Sequence, residues 1–319
     1  MSGQRKTLTP LRRAIRDPIV LLVIALFIIS TILYTDKFLS PPSIASILRM
    51  FSIVSLLSIG PTFVVLTGSL DLTYVGIWMF GGILTWLIFP YVGMPAILFY
   101  IIFGAFIGAI SGLIFAKGKV PSFLLTLAML AVLGYSTTAV SGGMPKAVPE
   151  YSFLKMKITP YVPSTFLLAL PIIGVALYIF YFTKIGSYLC AIGSNEEGAQ
   201  LAGINVTKYK ILSFVISGLI TGAGSMIIFV DLGCQSPIAI DMSRDVVGAL
   251  VAIVLGGTPL TGGVGGPHRT LLGALAYVLL YHALIMSGLD PFSLRLAIGA
   301  TLLAAVIVAS RGLKGVIIA

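Results

Sequence analysis

Residues 95–116 read PAILFYIIFGAFIGAISGLIFA, an apolar run without one charged side chain. A bilayer core of about 30 Å needs roughly 20 such residues, wound as a helix at about 1.5 Å each. Lipid offers the backbone no partner, so the run satisfies its N–H and C=O groups internally, as a helix. Comparable runs lie on both sides of it, at 18–35, 45–66, 73–90, 121–142, 164–183, 208–230, 246–262, 268–288 and 291–310. None shows the alternation of a membrane β-barrel strand. The sequence predicts an all-α polytopic membrane protein with about ten transmembrane helices.

Composition agrees. Of 319 residues, 58% are hydrophobic and 9% charged, against about 25% charged in soluble proteins. The chain has the length of about two soluble domains, but so few charges cannot cover a surface in water. A cytoplasmic enzyme, a disordered chain and a disulfide-rich secreted module are excluded. The net charge of +10 does not point to nucleic acid, because the basic residues form no basic helix and no aromatic-interleaved stripe. They sit between apolar runs and act as topology determinants. With the N-terminus inside, thirteen Lys and Arg fall inside: Arg5, Lys6, Arg12, Arg13, Arg16, Lys117, Lys119, Lys184, Lys208, Lys210, Arg269, Arg311 and Lys314. Seven fall outside or near outer helix ends: Lys37, Arg49, Lys146, Lys155, Lys157, Arg244 and Arg295. The expected plan is a cytoplasmic tail at 1–17, a membrane domain at 18–310 with a cytoplasmic loop at 184–207, and a cytoplasmic tail at 311–319. The first run ends in Tyr34-Thr35-Asp36-Lys37 with no small-x-small site and is read as a retained helix. Cys190 and Cys234 are expected on opposite sides, unpaired and outside any metal-ligand spacing.

Four stretches are more than lipid-facing helix. Gly104, Gly108 and Gly112 share a helix face, as do Gly218 and Gly222, a spacing that lets backbones approach closely in lipid. Ordinary packing within the chain is the first reading, and a dimer face the second. Residues 66–76, LTGSLDLTYVG, interrupt two apolar runs at membrane depth. Asp71 there is one of ten acidic residues, and a carboxylate at a helix centre costs about 2.5–3.5 kcal/mol on insertion scales. It should therefore be at a cap, paired or beside water. Capping the helix that starts near Thr73 is one role. Lining a permeation path, together with Thr67, Gly68, Ser69 and Thr73, is the other, since irregular backbone at this depth is tolerated when it lines a cavity.

Residues 193–206, GSNEEGAQLAGINV, predict a short helix over about 194–202 in the cytoplasmic loop. Ser194 and Glu197 have capping-box spacing, Glu196 and Glu197 suit the positive end of the helix dipole, and Gly203 is a natural stop. Acidic residues beside an anionic leaflet argue against a helix lying on lipid, so a protein-docking helix is the better reading. In 231–266, Asp231, Asp241, Arg244 and Asp245 cluster on the outer side, bonding locally or meeting a soluble partner. The glycine-rich run of Gly256, Gly257, Thr258, Gly262 and Gly263 lacks the Gly-Lys-Ser/Thr end of a phosphate loop and reads as a packed break in the second half. His268 and His282 stand alone, and no nucleophile, metal or proton-relay constellation is visible. Coupled secondary carriers usually hold several membrane-embedded ionisable residues, and here Asp71 is essentially the one.

Three of these segments carry a family resemblance. Thr67-Gly68-Ser69-Leu70-Asp71-Leu72-Thr73 is similar to the T-G-G-I-D-L-S segment of permease subunits of monosaccharide ATP-binding-cassette (ABC) importers, the ribose/xylose/arabinose type, with Ser69 for the second glycine. Gly186 through Val206, including Ala191 to Glu197 and Leu201 to Val206, resembles their A-I-G-x-N-x-x-A-A-x-x-x-G-I-x-V loop, with Gly198 for an alanine. Leu255 through Gly263 resembles their G-G-T-x-x-x-G-G segment. At Arg244–Leu250 the chain departs from the usual D-A-I-A-A run. The resemblance covers about residues 45–310 and implies a type II ABC-importer permease fold, paired with a second permease copy in the membrane lipid. It implies a soluble sugar-binding protein outside and two cytoplasmic ATPase domains on separate chains, which hold the ATP and Mg²⁺, so that this chain binds no cofactor. Ser194, Asn195, Glu196, Glu197, Ala199, Leu201, Gly203 and Ile204 would then form the coupling helix that sits in a cleft of the ATPase. A branched-chain amino-acid permease is the nearest alternative, with a secondary carrier or channel behind it.

Overall fold

Two helices organise the packing. Pro41–Val65 feeds three apolar clusters, through Ile47 and Val54, through Leu56, Ile59 and Phe63, and through Leu57. Val206–Leu232 joins two of them through Ile216, Ile220 and Ile228 and reaches a fourth through Phe229 and Val230. The computed structural model describes residues 17–154, 160–236 and 247–290, with 292–294, 296–297, 299–300 and 303. In chain order the helices are α1 (Pro18–Leu33), α2 (Thr35–Phe38), α3 (Pro41–Val65), α4 (Thr73–Val92), α5 (Phe99–Gly118), α6 (Ser122–Ser141), α7 (Ser164–Phe182), α8 (Lys184–Ser194), α9 (Glu196–Leu201), α10 (Val206–Leu232), α11 (Gly248–Leu255) and α12 (Pro267–Met286). Seven helical segments among the described residues are long and apolar enough to cross a membrane; α5 counts with the 3₁₀ turn Met94–Leu98 before it. With the shorter α1, the half-length α11 and the helical residues of 292–303, this is roughly the ten-helix plan.

Between apolar helices in lipid no hydrophobic drive remains, so close packing needs small residues. The two glycine stripes face each other within the chain. A Cβ on Gly104 would strike the Gly218 carbonyl, one on Gly108 the Phe214 carbonyl, and one on Gly222 the Tyr100 carbonyl. The stripe is therefore occupied inside the protomer rather than left for a dimer contact. Helices α3 and α10 meet in the same way, with a Cβ on Gly60 reaching 2.7 Å from the Ser217 carbonyl oxygen. Ser52 and Thr62 on α3 donate to the Leu48 and Ser58 carbonyls, so their hydroxyls are satisfied without widening the contact.

The connections separate into two ends. At one end a two-residue antiparallel ladder joins β1 (Lys146–Ala147) to β2 (Cys234–Gln235), and Tyr151 Oη donates to the Met94 carbonyl at 3.0 Å. Asp231, also here, is bonded locally by Arg49 Nε at 2.5 Å and Thr165 Oγ1 at 2.6 Å, so the local reading of this aspartate holds. Lys155, Lys157, Asp241, Arg244, Asp245 and Arg295, and nearly all of both tails, lie outside the described residues. At the other end Arg269 Nη2 donates to Asp17 at 3.1 Å, and Asp17 caps α1. Cys234 lies at the first end and Cys190, in α8, at the second, and neither is in a disulfide.

Two expected boundaries move. The 246–262 run is helical only to Leu255, because Gly256 closes α11 and Gly257 turns left-handed at φ +87°. The 184–207 loop holds a helix, α8, that was not expected. Thr183 caps it by accepting from Ile185 N at 3.2 Å, while Ile185, Leu189 and Ile192 point to one side, with Ile185 and Leu189 in the α3–α10 cluster.

If the glycine seam holds α5 to α10, Gly218→Leu should cost more than the ~1–3 kcal/mol of ordinary overpacking, and folded monodisperse protein in detergent chromatography should fall several-fold. Gly174→Ala, whose added Cβ meets nothing within 4 Å, should leave the profile unchanged. Equal profiles for the two variants would remove the seam's structural role.

Candidate functional site

The break at 66–72 is made by backbone chemistry. Helix α3 ends at Val65, and Gly68 takes φ +75°, which a side chain resists. The Thr67 hydroxyl lies 2.7 Å from the Val64 carbonyl oxygen and 3.2 Å from Ser69 Oγ. Leu70 N donates to Ser122 Oγ of α6 at 3.0 Å. Asp71 precedes the cap position Leu72, and its Oδ1 accepts from Thr73 N at 2.8 Å and from Thr73 Oγ1 at 2.5 Å. It thus serves the first turn of α4 from one residue before the cap. Its Oδ2 accepts from Ser217 Oγ at 2.6 Å. Ser217 stands eleven residues into α10, about 16 Å from its start, which puts the carboxylate at membrane depth. Thr67, Ser69, Asp71 and Thr73 are all buried among helices. In this conformation their side chains therefore brace the break and face no open surface.

The second-half break, 256–266, closes on the first. Gly257, Gly262, Gly263, Gly265 and Gly266 all have positive φ, and Thr258 Oγ1 accepts from Gly266 N at 3.1 Å to hold the loop shut. Gly263 N donates to the Leu66 carbonyl at 3.0 Å. A Cβ on Gly68 would reach 2.9 Å from the Thr261 carbonyl oxygen, and one on Gly262 would collide with Gly68 N. The end of α8 enters the same point. A Cβ on Gly193 would overlap the Leu66 carbonyl and reach 2.5 Å from Gly263 N, and Ser194 Oγ lies 3.3 Å from the Gly263 carbonyl oxygen. Three segments read separately from the sequence thus meet in one junction with no room for side chains.

From that junction the chain passes directly into α9, which begins later than expected. Ser194 ends α8, its hydroxyl bonding back to the Cys190 carbonyl at 2.9 Å, so it caps nothing. Asn195 is the cap: its Oδ1 accepts from Gly198 N at 2.9 Å. The capping-box reading missed this because serine and asparagine are equally good caps and stand side by side. Gly203, at φ +83°, closes the helix with Gly203 N donating to Gln200 and Ile204 N to Ala199, a Schellman end. Asn205 then caps α10 by accepting from Lys208 N at 2.9 Å. Lys210 of α10 pairs with Glu196 at 2.6 Å. Ala199 is buried, whereas Glu197 and Gln200 are exposed and Leu201 is 90% exposed. Leu201 is thus a nearly bare leucine on a helix capped at both ends. The sequence signal for the junction was Gly193 itself, which the helix period of α8 does not require.

Among the described residues no group of three or more His, Cys, Asp or Glu side chains is arranged for a metal. His282 bonds Ser43 at 2.9 Å, and His268 packs on the rings of Phe180 and Tyr181.

Comparison with known proteins places this geometry. The ribose import permease protein RbsC of Haemophilus influenzae is 32% identical over 298 residues, covering 90% of each chain. The L-arabinose ABC transporter permease protein AraH of Azospirillum brasilense is 27% identical over 92% of this chain and 86% of its own, and the fructose import permease protein FrcC of Rhizobium meliloti is 29% identical over 91% and 83%. A solved metal-chelate type ABC transporter, in an inward-facing conformation, shares the fold at a TM-score of 0.53 and 17% identity, covering 91% of this chain and 97% of its own. Matched over residues 43–310, the chain belongs to the family described as branched-chain amino acid transport system / permease component.

Proposed function

We propose that the chain is the membrane-spanning permease subunit of an ABC importer and forms the path for a monosaccharide or a similar small neutral polyol or furanose. The cargo class rests on the relatives named for ribose, arabinose and fructose and on a chain with only 9% charged residues, which suits a neutral solute. A soluble binding protein delivers the cargo from outside. A second permease copy completes the path, and ATP and Mg²⁺ are held and used by a separate cytoplasmic subunit. The excess of Lys and Arg at the α9 end supports a cytoplasmic position for that end and for both termini.

The observation that carries this reading is the junction of Leu66, Gly193 and Gly263 immediately behind α9. A rigid helix that presents Glu197, Gln200 and Leu201 is rooted on both helix breaks, so displacing it moves both. ATPase closure would bias the breaks between two packings through its differential contact with α9. In this reading Asp71 anchors the first break to α10 and does not touch cargo. The second reading, a branched-chain amino-acid cargo, is favoured by the family's own description.

The assembled importer should take up labelled ribose and not leucine, and the reverse result would establish the second reading. Glu197→Lys combined with Leu201→Glu should lower uptake at least tenfold and abolish ATPase co-purification at normal permease levels. Retention of both would end the docking assignment. Gly193→Val should keep the ATPase bound yet cut uptake several-fold, and full uptake in that variant would show that the junction transmits nothing. Asp71→Asn should retain most uptake. Asp71→Ala leaves the Ser217 and Thr73 hydroxyls without their acceptor and should cost about 3–6 kcal/mol, at ~1.5–3 kcal/mol for each of the two hydrogen bonds to a charged group, seen as loss of folded protein. Loss of uptake by well-folded Asp71→Asn would assign the charge a direct role.

A further inference from the structure

Arg49 is an arginine that the proposed coupling route does not use. It stands eight residues into α3, about 12 Å from the helix start at the end away from α9, with its side chain about half exposed. Asp231, at the end of α10, holds Arg49 by Nε and is itself held by Thr165. The pair is thus fixed from two sides, with the guanidinium plane oriented. Arg49 also lines a cavity of about 230 Å³ at the end of the molecule away from α9, together with Ser46, Met50, Ile53, Leu232 and Tyr281. That volume lies below the roughly 300–1,000 Å³ of drug-sized sites and suits a small solute.

The lining indicates the chemistry of that solute. Asp231 cancels the charge of Arg49, so the site has no net attraction for an anion, while the guanidinium fork still supplies donors for hydroxyl oxygens. Ser46 adds a hydroxyl. Tyr281, tilted on Tyr277 at 6.0 Å, offers an aromatic face for the apolar side of a sugar ring. We infer that this cavity is a weak subsite for a neutral polyhydroxy solute, occupied at the outer mouth before the path opens. The inference rests on the permease reading and adds a place and a recognition chemistry to it.

The test uses the full importer with the permease in a Cys190→Ser, Cys234→Ser background whose ribose uptake is measured first. Ser46→Cys is then labelled with a membrane-impermeant maleimide. Millimolar D-ribose should slow labelling at least threefold, equimolar leucine should not, and Arg49→Gln should abolish the protection. Arg49→Lys keeps the ion pair but loses the fork, and it should also lose protection while remaining folded. If the background imports ribose but ribose does not slow labelling, the subsite is wrong and the permease reading stands. Equal protection by leucine overturns the neutral-polyol assignment. A background that folds and assembles but imports no sugar overturns both.

Discussion

Everything at the α9 end depends on backbone touching backbone. Gly263 N reaches the Leu66 carbonyl, and the end of α8 fits against both because Gly193 has no side chain. A side chain at that position would push three segments apart at once. The requirement explains why two of the contacting residues are glycines, and why the second break is a run of left-handed glycines rather than a continued helix. It also converts the 184–207 loop from a tether into part of the membrane domain's own packing, so the ends of two interrupted helices share a single support.

The polar residues follow a second rule, which is satisfaction within the protein. Asp71 accepts from a backbone N–H and two hydroxyls, so a carboxylate that lipid would reject becomes the tie between α4 and α10. The pair of Asp231 with Arg49 does the same at the opposite end. Among the described residues, Asp71 and the Arg49–Asp231 pair thus sit where helices are joined.

Much of the plan was legible because lipid imposes simple demands. Apolar length marked the long spans, Gly218 and Gly222 announced a close contact, and Gly203 announced a helix end. What escaped was fixed by tertiary partners. Ser194 reads as a cap until its hydroxyl is seen committed to Cys190, and α8 reads as loop because its apolar side is short and its burial depends on α3 and α10. The approach of Leu66 to Gly263 spans nearly two hundred residues and leaves no local trace. Residues 246–262 were apolar enough to span, yet positive φ at Gly257 ends the helix half way, a property of backbone that hydropathy does not record.

The glycine seam between α5 and α10 has a mechanical meaning. Each missing side chain seats a carbonyl of the other helix, and the seats recur every four residues, about 6 Å apart. A smaller slide would drive the neighbouring bulky side chains against those carbonyls. The two helices are therefore locked in register along this seam, and neither slides on the other without breaking those seats.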